Sequence, residues 1–239
     1  MDSGNSILSA NSVSREFRTA EGTLSVLRGI SLEVQAGQIA AVTGASGVGK
    51  STLLHILGGL DRPTAGEVRV SGRSLAGLSE TELARFRNRK VGFVFQFHYL
   101  LDDFSALENV AIPQILAGES RADARRKGEL LLDMVGLKDR QTHRPKELSG
   151  GEQQRVAVAR ALANDPEIVL ADEPSGNLDS ATGRKLHDLL FELNRQNRTS
   201  FLIATHNQEL ARECDREFRL IDGRLAAEHT GDGDAVSGL

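Results

Sequence analysis

Four consecutive residues in the second half of the chain combine a helix cap with two glycines. They are Ser149, Gly150, Gly151 and Glu152. A serine followed three residues later by a glutamate is typical of a capping box, in which each side chain bonds the backbone amide of the other residue. The glycines leave the amides at this helix end uncovered, and the end carries a partial positive charge. The pattern therefore predicts a helix start that binds an anion such as a phosphate.

A second stretch follows the phosphate-loop pattern, with a short apolar run before it and an apolar helix after it. Its residues are Gly44, Ala45, Ser46, Gly47, Val48, Gly49, Lys50, Ser51 and Thr52. The glycines let backbone amides turn inward around phosphates, Lys50 is expected to reach the β- and γ-phosphates, and Ser51 is expected to ligate Mg²⁺. The alternative is a glycine-rich turn with a surface lysine, which leaves the coincidence of strand, loop, lysine and hydroxyl unexplained.

Two adjacent acidic residues follow the apolar run 168–171. A carboxylate at the end of a buried strand can hold Mg²⁺, usually through water, and Asp172 is predicted to do so. Glu173 is predicted to act as the general base that polarises the attacking water. The alternative for this pair is a turn-forming or capping dipeptide before Pro174, and the phosphate loop upstream argues against it.

Composition limits the class of protein. A net charge of −4 argues against a nucleic-acid-binding protein, which usually has a basic face. Two basic clusters, at 85–90 and 125–127, have acidic neighbours and favour a solvated helix face over contact with an anionic membrane. The single cysteine, Cys214, cannot form an internal disulfide. No segment approaches the roughly 18 apolar residues of a membrane span.

Hydrophobic periodicity predicts an α/β fold. Strands are expected at 12–17, 30–34, 38–43, 66–70, 91–95, 168–171, 200–204 and 218–221. Helices are expected at 50–60, 105–115, 122–135, 151–163, 180–196 and 208–213. The first strands suggest an antiparallel layer, the helices between 95 and 149 suggest an inserted helical subdomain, and the later alternation implies a parallel sheet. Residues 1–11 and the tail after Thr230 are expected to be loose.

Together these motifs resemble those of the ATP-binding cassette (ABC) transporter ATPases over nearly the whole chain. The resemblance implies a P-loop NTPase with a parallel-sheet core, an antiparallel β subdomain and an inserted helical subdomain. It divides the chain into the β layer and first phosphate loop (1–96), the helical subdomain (97–150), the rest of the core (151–229) and a tail (230–239). It also implies ATP and Mg²⁺ as ligands.

The resemblance assigns roles to four further residues. Gln96 corresponds to a glutamine that contacts Mg²⁺ and the attacking water and links to the membrane subunit. His206 corresponds to the histidine that senses the γ-phosphate, although Asn207 follows it where the family often has aspartate. Asp179 lies in a loop that crosses to the partner subunit, and it can equally be an N-cap. Phe17 either stacks on adenine or is a core residue of a strand.

The family also implies a head-to-tail homodimer. The helix start at 149–152 has no phosphate of its own to bind, so it acts in trans on the ATP held by the partner's phosphate loop. Chromosome-maintenance and DNA-repair ATPases separate the two nucleotide motifs by a long coiled coil, and translation-type ABC factors carry two cassettes in one chain. Neither pattern occurs here, so a membrane-partnered transport ATPase is predicted.

Within the transporters, three segments resemble the LolD family of lipoprotein-releasing ATPases: 53–61, 96–113 and 143–149. This resemblance implies a peripheral subunit on the cytoplasmic face of the inner membrane, bound to two integral permease subunits of the LolC and LolE type. Asp102 departs from the proline expected in the segment that should meet those subunits. Macrolide-efflux and cell-division (FtsE-type) cassettes share much of the pattern and remain alternatives. The cargo is selected by other chains.

Overall fold

The computed structural model describes residues 6–20 and 22–226, which contain ten β-strands in two sheets. The strands are β1 (Ser6–Thr19), β2 (Gly22–Gln35), β3 (Ile39–Thr43), β4 (Ala65–Val70), β5 (Arg73–Ser74), β6 (Val91–Val94), β7 (Ile168–Asp172), β8 (Ser200–Thr205), β9 (Arg216–Ile221) and β10 (Arg224–Leu225). The smaller sheet has the order β2-β1-β4-β5 with antiparallel pairing, as the sequence predicted.

The larger sheet has the order β10-β9-β3-β8-β7-β6. All its neighbours pair in parallel except β10, which is antiparallel to β9. Strands β3 and β8 are buried along their whole length, as expected for central strands covered on both faces. Parallel pairing brings the carboxyl ends of β3, β7 and β8 to one edge of the sheet, where Thr43, Asp172 and Thr205 end their strands.

The described residues form seven α-helices. They are α1 (Lys50–Leu57), α2 (Glu80–Lys90), α3 (Ala106–Leu116), α4 (Arg121–Met134), α5 (Gly150–Ala161), α6 (Ser180–Asn197) and α7 (Gln208–Glu213). Capping boxes begin α2 at Ser79, α3 at Ser105 and α5 at Ser149. Each box pairs two backbone amides that would otherwise lack acceptors, which explains why these helices begin where they do.

Alternate residues of the central strands pack into two apolar clusters on opposite faces of the larger sheet. In β7, Ile168 and Leu170 join the cluster formed with α1 and the smaller sheet, whereas Val169 and Ala171 join the cluster formed with α3 to α6. This is the twofold alternation of a strand covered on both sides. The packing holds the strand ends, and therefore any side chains that follow them, in fixed positions.

One prediction about the amino terminus is wrong. Residues 1–11 were expected to be loose, but β1 begins at Ser6, and Leu8 is fully buried opposite Val34 and Val70. The alternation of Leu8 and Ala10 with polar residues carries this strand signal. Residues 1–5 and the predicted loose tail at 230–239 lie outside the described residues. Within residues 6–20 and 22–226, no helix combines the length and apolar character that crossing a membrane demands.

Candidate active site

The glycine-rich stretch lies where the sequence predicted it, as a loop between β3 and α1. Gly47 and Gly49 have φ values of 76° and 110°, in the left-handed region that favours glycine. A Cβ added at Gly49 would also lie 3.0 Å from Val26 Cγ1. The loop therefore requires glycine here, and it leads into α1, whose first-turn amides have no acceptor within the helix. These amides are available to an anion such as a phosphate.

Lys50 begins α1 and is only 6% exposed. Its Nζ donates to the carbonyl oxygens of Gly44 at 2.9 Å and Ala45 at 3.2 Å. The nearest carboxylate oxygen, Glu173 Oε1, lies 3.6 Å away. The loop thus encloses its own cation, which is fixed beside the amides of α1 and offers positive charge to a phosphate group.

Asp172, the last residue of β7, is half-buried and accepts a hydrogen bond from the Ser51 side chain. Burial raises the pKa of this carboxyl, although the Ser51 bond opposes the shift. Its Oδ1 is buried without a hydrogen-bond partner. A buried carboxylate oxygen beside a hydroxyl is the kind of oxygen donor set that Mg²⁺ prefers. The two residues fit the metal that the sequence predicted for them.

Glu173 contacts both Lys50, which is predicted to bind the phosphates, and His206, which is predicted to sense the γ-phosphate. Its Oε2 lies 2.9 Å from His206 Nδ1, and its Oε1 faces Lys50. The residue has a φ of 45°, an uncommon conformation for a side-chain-bearing residue, and its amide is held by the Ala204 carbonyl at 2.8 Å. Strained backbone that the surrounding structure enforces is frequent at functional sites. The carboxylate is therefore held beside both Lys50 and His206.

His206 follows β8, and its side chain is 71% exposed. Asn207, which replaces the aspartate expected after this histidine, caps α7 by accepting hydrogen bonds from the amides of Glu209 and Leu210. An asparagine oxygen can cap as an aspartate oxygen does. The departure from the family pattern therefore keeps the side-chain cap that begins α7 directly after His206.

The loop between β7 and α6 contains Asp179 and contacts Gln96. Asp179 caps α6 by accepting from the amides of Ala181 and Thr182, which is the structural role considered for it. The Thr182 hydroxyl and then these amides lower the pKa of Asp179 by donating to its carboxylate. Gln96 follows β6, and its side chain pairs with Asn177 of this loop. That pairing was not predicted, because the two residues are 81 positions apart.

The predicted anion-binding helix start is a complete capping box. Ser149 Oγ accepts from the Glu152 amide. The Ser149 amide and hydroxyl both donate to Glu152 Oε2, and these two bonds lower the pKa of Glu152 to about 2. Glu152 also accepts from Arg140 Nε at 3.1 Å. Gly150 is exposed, whereas Gly151 is buried against α6, where an added Cβ would lie 2.4 Å from Thr182 Cγ2. Of the two glycines, Gly150 is therefore the one that lies at the surface of the subunit at the start of α5.

Phe17 lies on β1 in a half-buried position. It belongs to neither of the two apolar clusters described above, and the Arg15 guanidinium lies 4.5 Å from the centre of its ring. This environment differs from that of a core phenylalanine. The half-exposed ring can stack on another planar group, as the adenine interpretation requires.

Known proteins show the same organisation. The family model described as ABC transporter matches residues 27–176. The lipoprotein-releasing system ATP-binding protein LolD of Syntrophus aciditrophicus is 51% identical over 219 residues, covering 92% of this chain and 98% of that protein. The LolD of Porphyromonas gingivalis is 51% identical over 214 residues, covering 90% of this chain and 98% of that protein.

Solved structures agree with these sequence relatives. The bacterial ABC transporter cassette MJ0796, solved as a dimer, is 39% identical with a TM-score of 0.87, covering 95% of this chain and 99% of that chain. The same cassette was also solved as a dimer in a post-hydrolysis state bound to ADP and Pi, again with a TM-score of 0.87. These matches confirm the predicted fold class. The chain therefore belongs to the ABC transporter family, within which it groups with the ATP-binding proteins of the lipoprotein-releasing system.

Proposed function

We propose that this chain hydrolyses ATP with Mg²⁺ and powers lipoprotein release. The observation that carries the catalytic part is the convergence of Lys50, Asp172, Glu173 and His206 at one edge of the parallel sheet. Lys50 would bind the phosphates, and Ser51 and Asp172 would hold Mg²⁺. When bound, Mg²⁺ offsets negative charge on the phosphate oxygens. Gln96 would be a further metal ligand, and Phe17 would stack on adenine.

Glu173 is proposed to be the general base. A carboxylate held between a lysine and a histidine can accept a proton from water while remaining oriented. His206 Nδ1 lies 2.9 Å from Glu173 Oε2, so the imidazole can hold the carboxylate in place and respond to the phosphate. The strained backbone of Glu173 is then part of the positioning.

The proposed assembly is a head-to-tail homodimer. The amide of the exposed Gly150 and the Ser149 cap would bind the ATP held by the partner's phosphate loop. The loop with Asp179 would approach the same interface. The dimeric state of the related cassette MJ0796 supports this arrangement. The pairing is isologous, so it produces two equivalent sites. ATP joins the subunits, and loss of its products separates them.

A groove suitable for a membrane partner lies among α2, β6, α3 and α5, where α3 of the proposed helical subdomain meets the core. Its volume is about 520 Å³, and its apolar lining includes Leu60, Phe93, Phe95, Pro113 and Leu116. Its charged lining residues are Arg85, Arg87 and Arg160. A short apolar segment with an acidic side chain would complement this lining.

Beside this groove lies an exposed apolar run that follows Gln96. Phe97, Tyr99, Leu101 and Phe104 are 63%, 66%, 46% and 41% exposed. Exposed apolar patches of this kind mark interaction surfaces. We propose that the groove and this run receive a cytoplasmic segment from each of two permease subunits of the LolC and LolE type, with the ATPase on the cytoplasmic face of the inner membrane.

The proposed transport step is the extraction of lipoproteins from the inner membrane and their transfer toward a periplasmic carrier. The named relatives favour this cargo over macrolide efflux and cell division. Each acyl CH₂ removed from a bilayer costs about 0.8 kcal/mol, so a multiply acylated protein does not leave spontaneously at a useful rate. A hydrolysis-driven change of state in the ATPase pair can supply the required free energy.

The catalytic assignment is tested by Glu173→Gln, which keeps the size of the side chain and removes its charge. Turnover should fall at least about 100-fold while ATP binding persists, since general-base contributions have this magnitude. An ATP-bound dimer should accumulate, as measured by light scattering. Glu192→Gln, an exposed change on α6, is the matched control. Turnover by Glu173→Gln near that of the parent would refute the assignment.

Lys50→Ala distinguishes binding from catalysis in the same site. Removing the cation should weaken nucleotide binding, because the charge that faces the phosphates is lost. Equilibrium titration with a non-hydrolysed ATP analogue measures this effect. Unchanged affinity in Lys50→Ala would contradict the proposed role of the loop.

A further inference from the structure

Gln96 and Asn177 form a reciprocal amide pair across two loops. Gln96 Nε2 donates to Asn177 Oδ1 at 3.0 Å, and Asn177 Nδ2 donates to the backbone carbonyl of Gln96 at 3.0 Å. The loop after β6 is thereby joined to the loop before α6. The Asn177 side chain accepts one of these bonds and donates the other, so both depend on it.

The geometry fixes the orientation of both amides. A backbone carbonyl can only accept, so Asn177 must turn its Nδ2 toward it and its Oδ1 toward the Gln96 side chain. Gln96 must then turn Nε2 toward Asn177. Its Oε1, on the other side of the same carbon, accepts no hydrogen bond from any residue in the described ranges. The free atom of Gln96 is therefore its oxygen.

Asn177 is itself held in place by the loop around it. The amide of Gly176 donates to the Glu173 carbonyl at 3.0 Å, and Ser175 Oγ lies 2.8 Å from Nε2 of His187, which is only 4% exposed. The loop also approaches Gln96 closely, because a Cβ added at Gly176 would lie 3.0 Å from Gln96 Nε2. The pair is thus built on a fixed support connected to the catalytic glutamate.

We propose that Asn177 is a positioning residue that makes Gln96 present its oxygen, and not its NH₂ group, to the metal. Without Asn177 the amide can flip, and its two N–H donors would then face a cation that they cannot ligate. The inference rests on the proposed role of Gln96 as a metal ligand. It adds that the orientation of this ligand is set by the loop that approaches the dimer interface.

The test measures how much Mg²⁺ strengthens ATP binding, in the non-hydrolysing Glu173→Gln background. ATP affinity is measured by calorimetry with excess EDTA and then with Mg²⁺, and the ratio is the metal-dependent gain. Asn177→Ala should lower this gain about three- to tenfold, the effect of losing one or two hydrogen bonds. Affinity in EDTA should not change, because Asn177 contacts no part of the phosphate loop. Gln196→Ala, an exposed amide change on α6, is the control.

Two further variants separate the possible failures. Gln96→Ala should lower the gain at least as much, and adding Asn177→Ala to it should have no further effect, because Asn177 is proposed to act on the metal only through the Gln96 side chain. Gly176→Ala should lower the gain by pressing on the same amide, without removing any hydrogen-bonding group.

Each alternative outcome has a distinct meaning. If Gln96→Ala leaves the gain unchanged, Gln96 is not a metal ligand, and both its proposed role and this inference are wrong. If Gln96→Ala lowers the gain but Asn177→Ala does not, or if the two effects add, only the inference about Asn177 is overturned. Loss of ATP affinity in EDTA with Asn177→Ala would indicate general damage to the site, and it would also overturn the inference about Asn177.

Discussion

Asp172 carries a charge where the fold disfavours it. Burial raises the pKa of its carboxyl above the ordinary value of 3.8, and its Oδ1 has no hydrogen-bond partner. The unfolded chain loses this proton near pH 3.8, while the folded protein keeps it to higher pH. The folded state is therefore destabilised as the pH rises through this interval, and the full penalty is present above the folded-state pKa. Such a penalty is tolerated where a bound metal removes it.

Asp172→Asn should stabilise the protein without nucleotide while disabling it. Removing the buried charge should raise the free energy of unfolding by about 1 kcal/mol at pH 7, the low end of the penalty for an unpaired buried group. The gain over the parent should disappear as the pH falls toward the ordinary carboxyl pKa. Urea unfolding at several pH values measures this, with the exposed Asp139→Asn as control. Metal-dependent ATP binding should be lost; a destabilised Asp172→Asn would contradict the argument.

Residue types alone located the main polar groups of this candidate site. Lys50 and Ser51 lie in a contiguous motif, and Asp172 and Glu173 directly follow an apolar run, so local sequence carries their positions. The partners of Gln96 and Glu173 could not be found this way. Asn177 is 81 positions from Gln96, and His206 is 33 from Glu173. Such contacts depend on which strands are neighbours, and the spacing along the chain does not contain that information.

At the scale of elements, the strength of the local signal decided which elements were predicted. The Ser105 capping box predicted the start of α3 because an apolar run follows it. The same signal at Ser79 begins α2, but only Leu83 and Phe86 of that helix are buried, and this helix was not predicted. Helix α1 was expected to reach Leu60 and ends at Leu57. Such boundaries are set by caps and packing that a hydrophobic pattern does not encode.

The start of α5 offers a test of the proposed dimer. Gly151 is a poor position for an added carboxylate, because its Cβ would clash with Thr182 within the same subunit. Gly150 is suitable, since it is exposed and its Cβ would meet only Leu178 Cδ2 at 3.8 Å. A negative charge there would oppose a phosphate at a helix end that favours anions. The side chain would project from the subunit without disturbing its packing.

Gly150→Asp should leave ATP binding by the monomer intact and weaken ATP-driven dimerisation at least about tenfold, since opposed like charges at an interface cost several kcal/mol. Gly150→Ala has the same Cβ without the charge and should dimerise nearly as the parent does. Sedimentation in the Glu173→Gln background compares them. Mixing Gly150→Asp with Lys50→Ala subunits should leave at most one intact composite site per dimer. Normal dimerisation by Gly150→Asp would exclude this helix end from the interface.

For the whole molecule, the groove beside Gln96 connects the proposed catalytic site with the proposed membrane partner. Arg160 donates from its two terminal nitrogens to the carbonyl oxygens of Tyr99 at 2.6 Å and His98 at 2.7 Å. The Tyr99 ring packs edge-on against Phe95 with ring centres 5.4 Å apart. The exposed run is thus fixed to α5, which begins at the proposed interface with the second subunit. A segment seated in the groove could shift the loop of Gln96 and the start of α5 together.

Tyr99→Glu should separate hydrolysis from release. The side chain is 66% exposed, and its hydrogen bond to Arg160 uses the backbone, so the fold and the ATPase activity of the isolated subunit should stay within about twofold of the parent. A carboxylate buried against an apolar partner segment should weaken assembly with the permease pair at least about tenfold. Leu130→Glu is the matched control, because Leu130 is 63% exposed but lies on α4, outside the groove.

Two measurements decide the outcome of this comparison. Co-purification with the permease pair reports assembly, and transfer of an acylated lipoprotein from proteoliposomes to a soluble carrier reports release. Tyr99→Glu should lose both while Leu130→Glu keeps both. If the two variants behave alike, the exposed run is not part of the docking surface. If Tyr99→Glu assembles normally but fails in release, the exposed run couples ATP hydrolysis to release without contributing to the affinity for the permease pair. The two can differ because binding and coupling are separate free energies of the same interface.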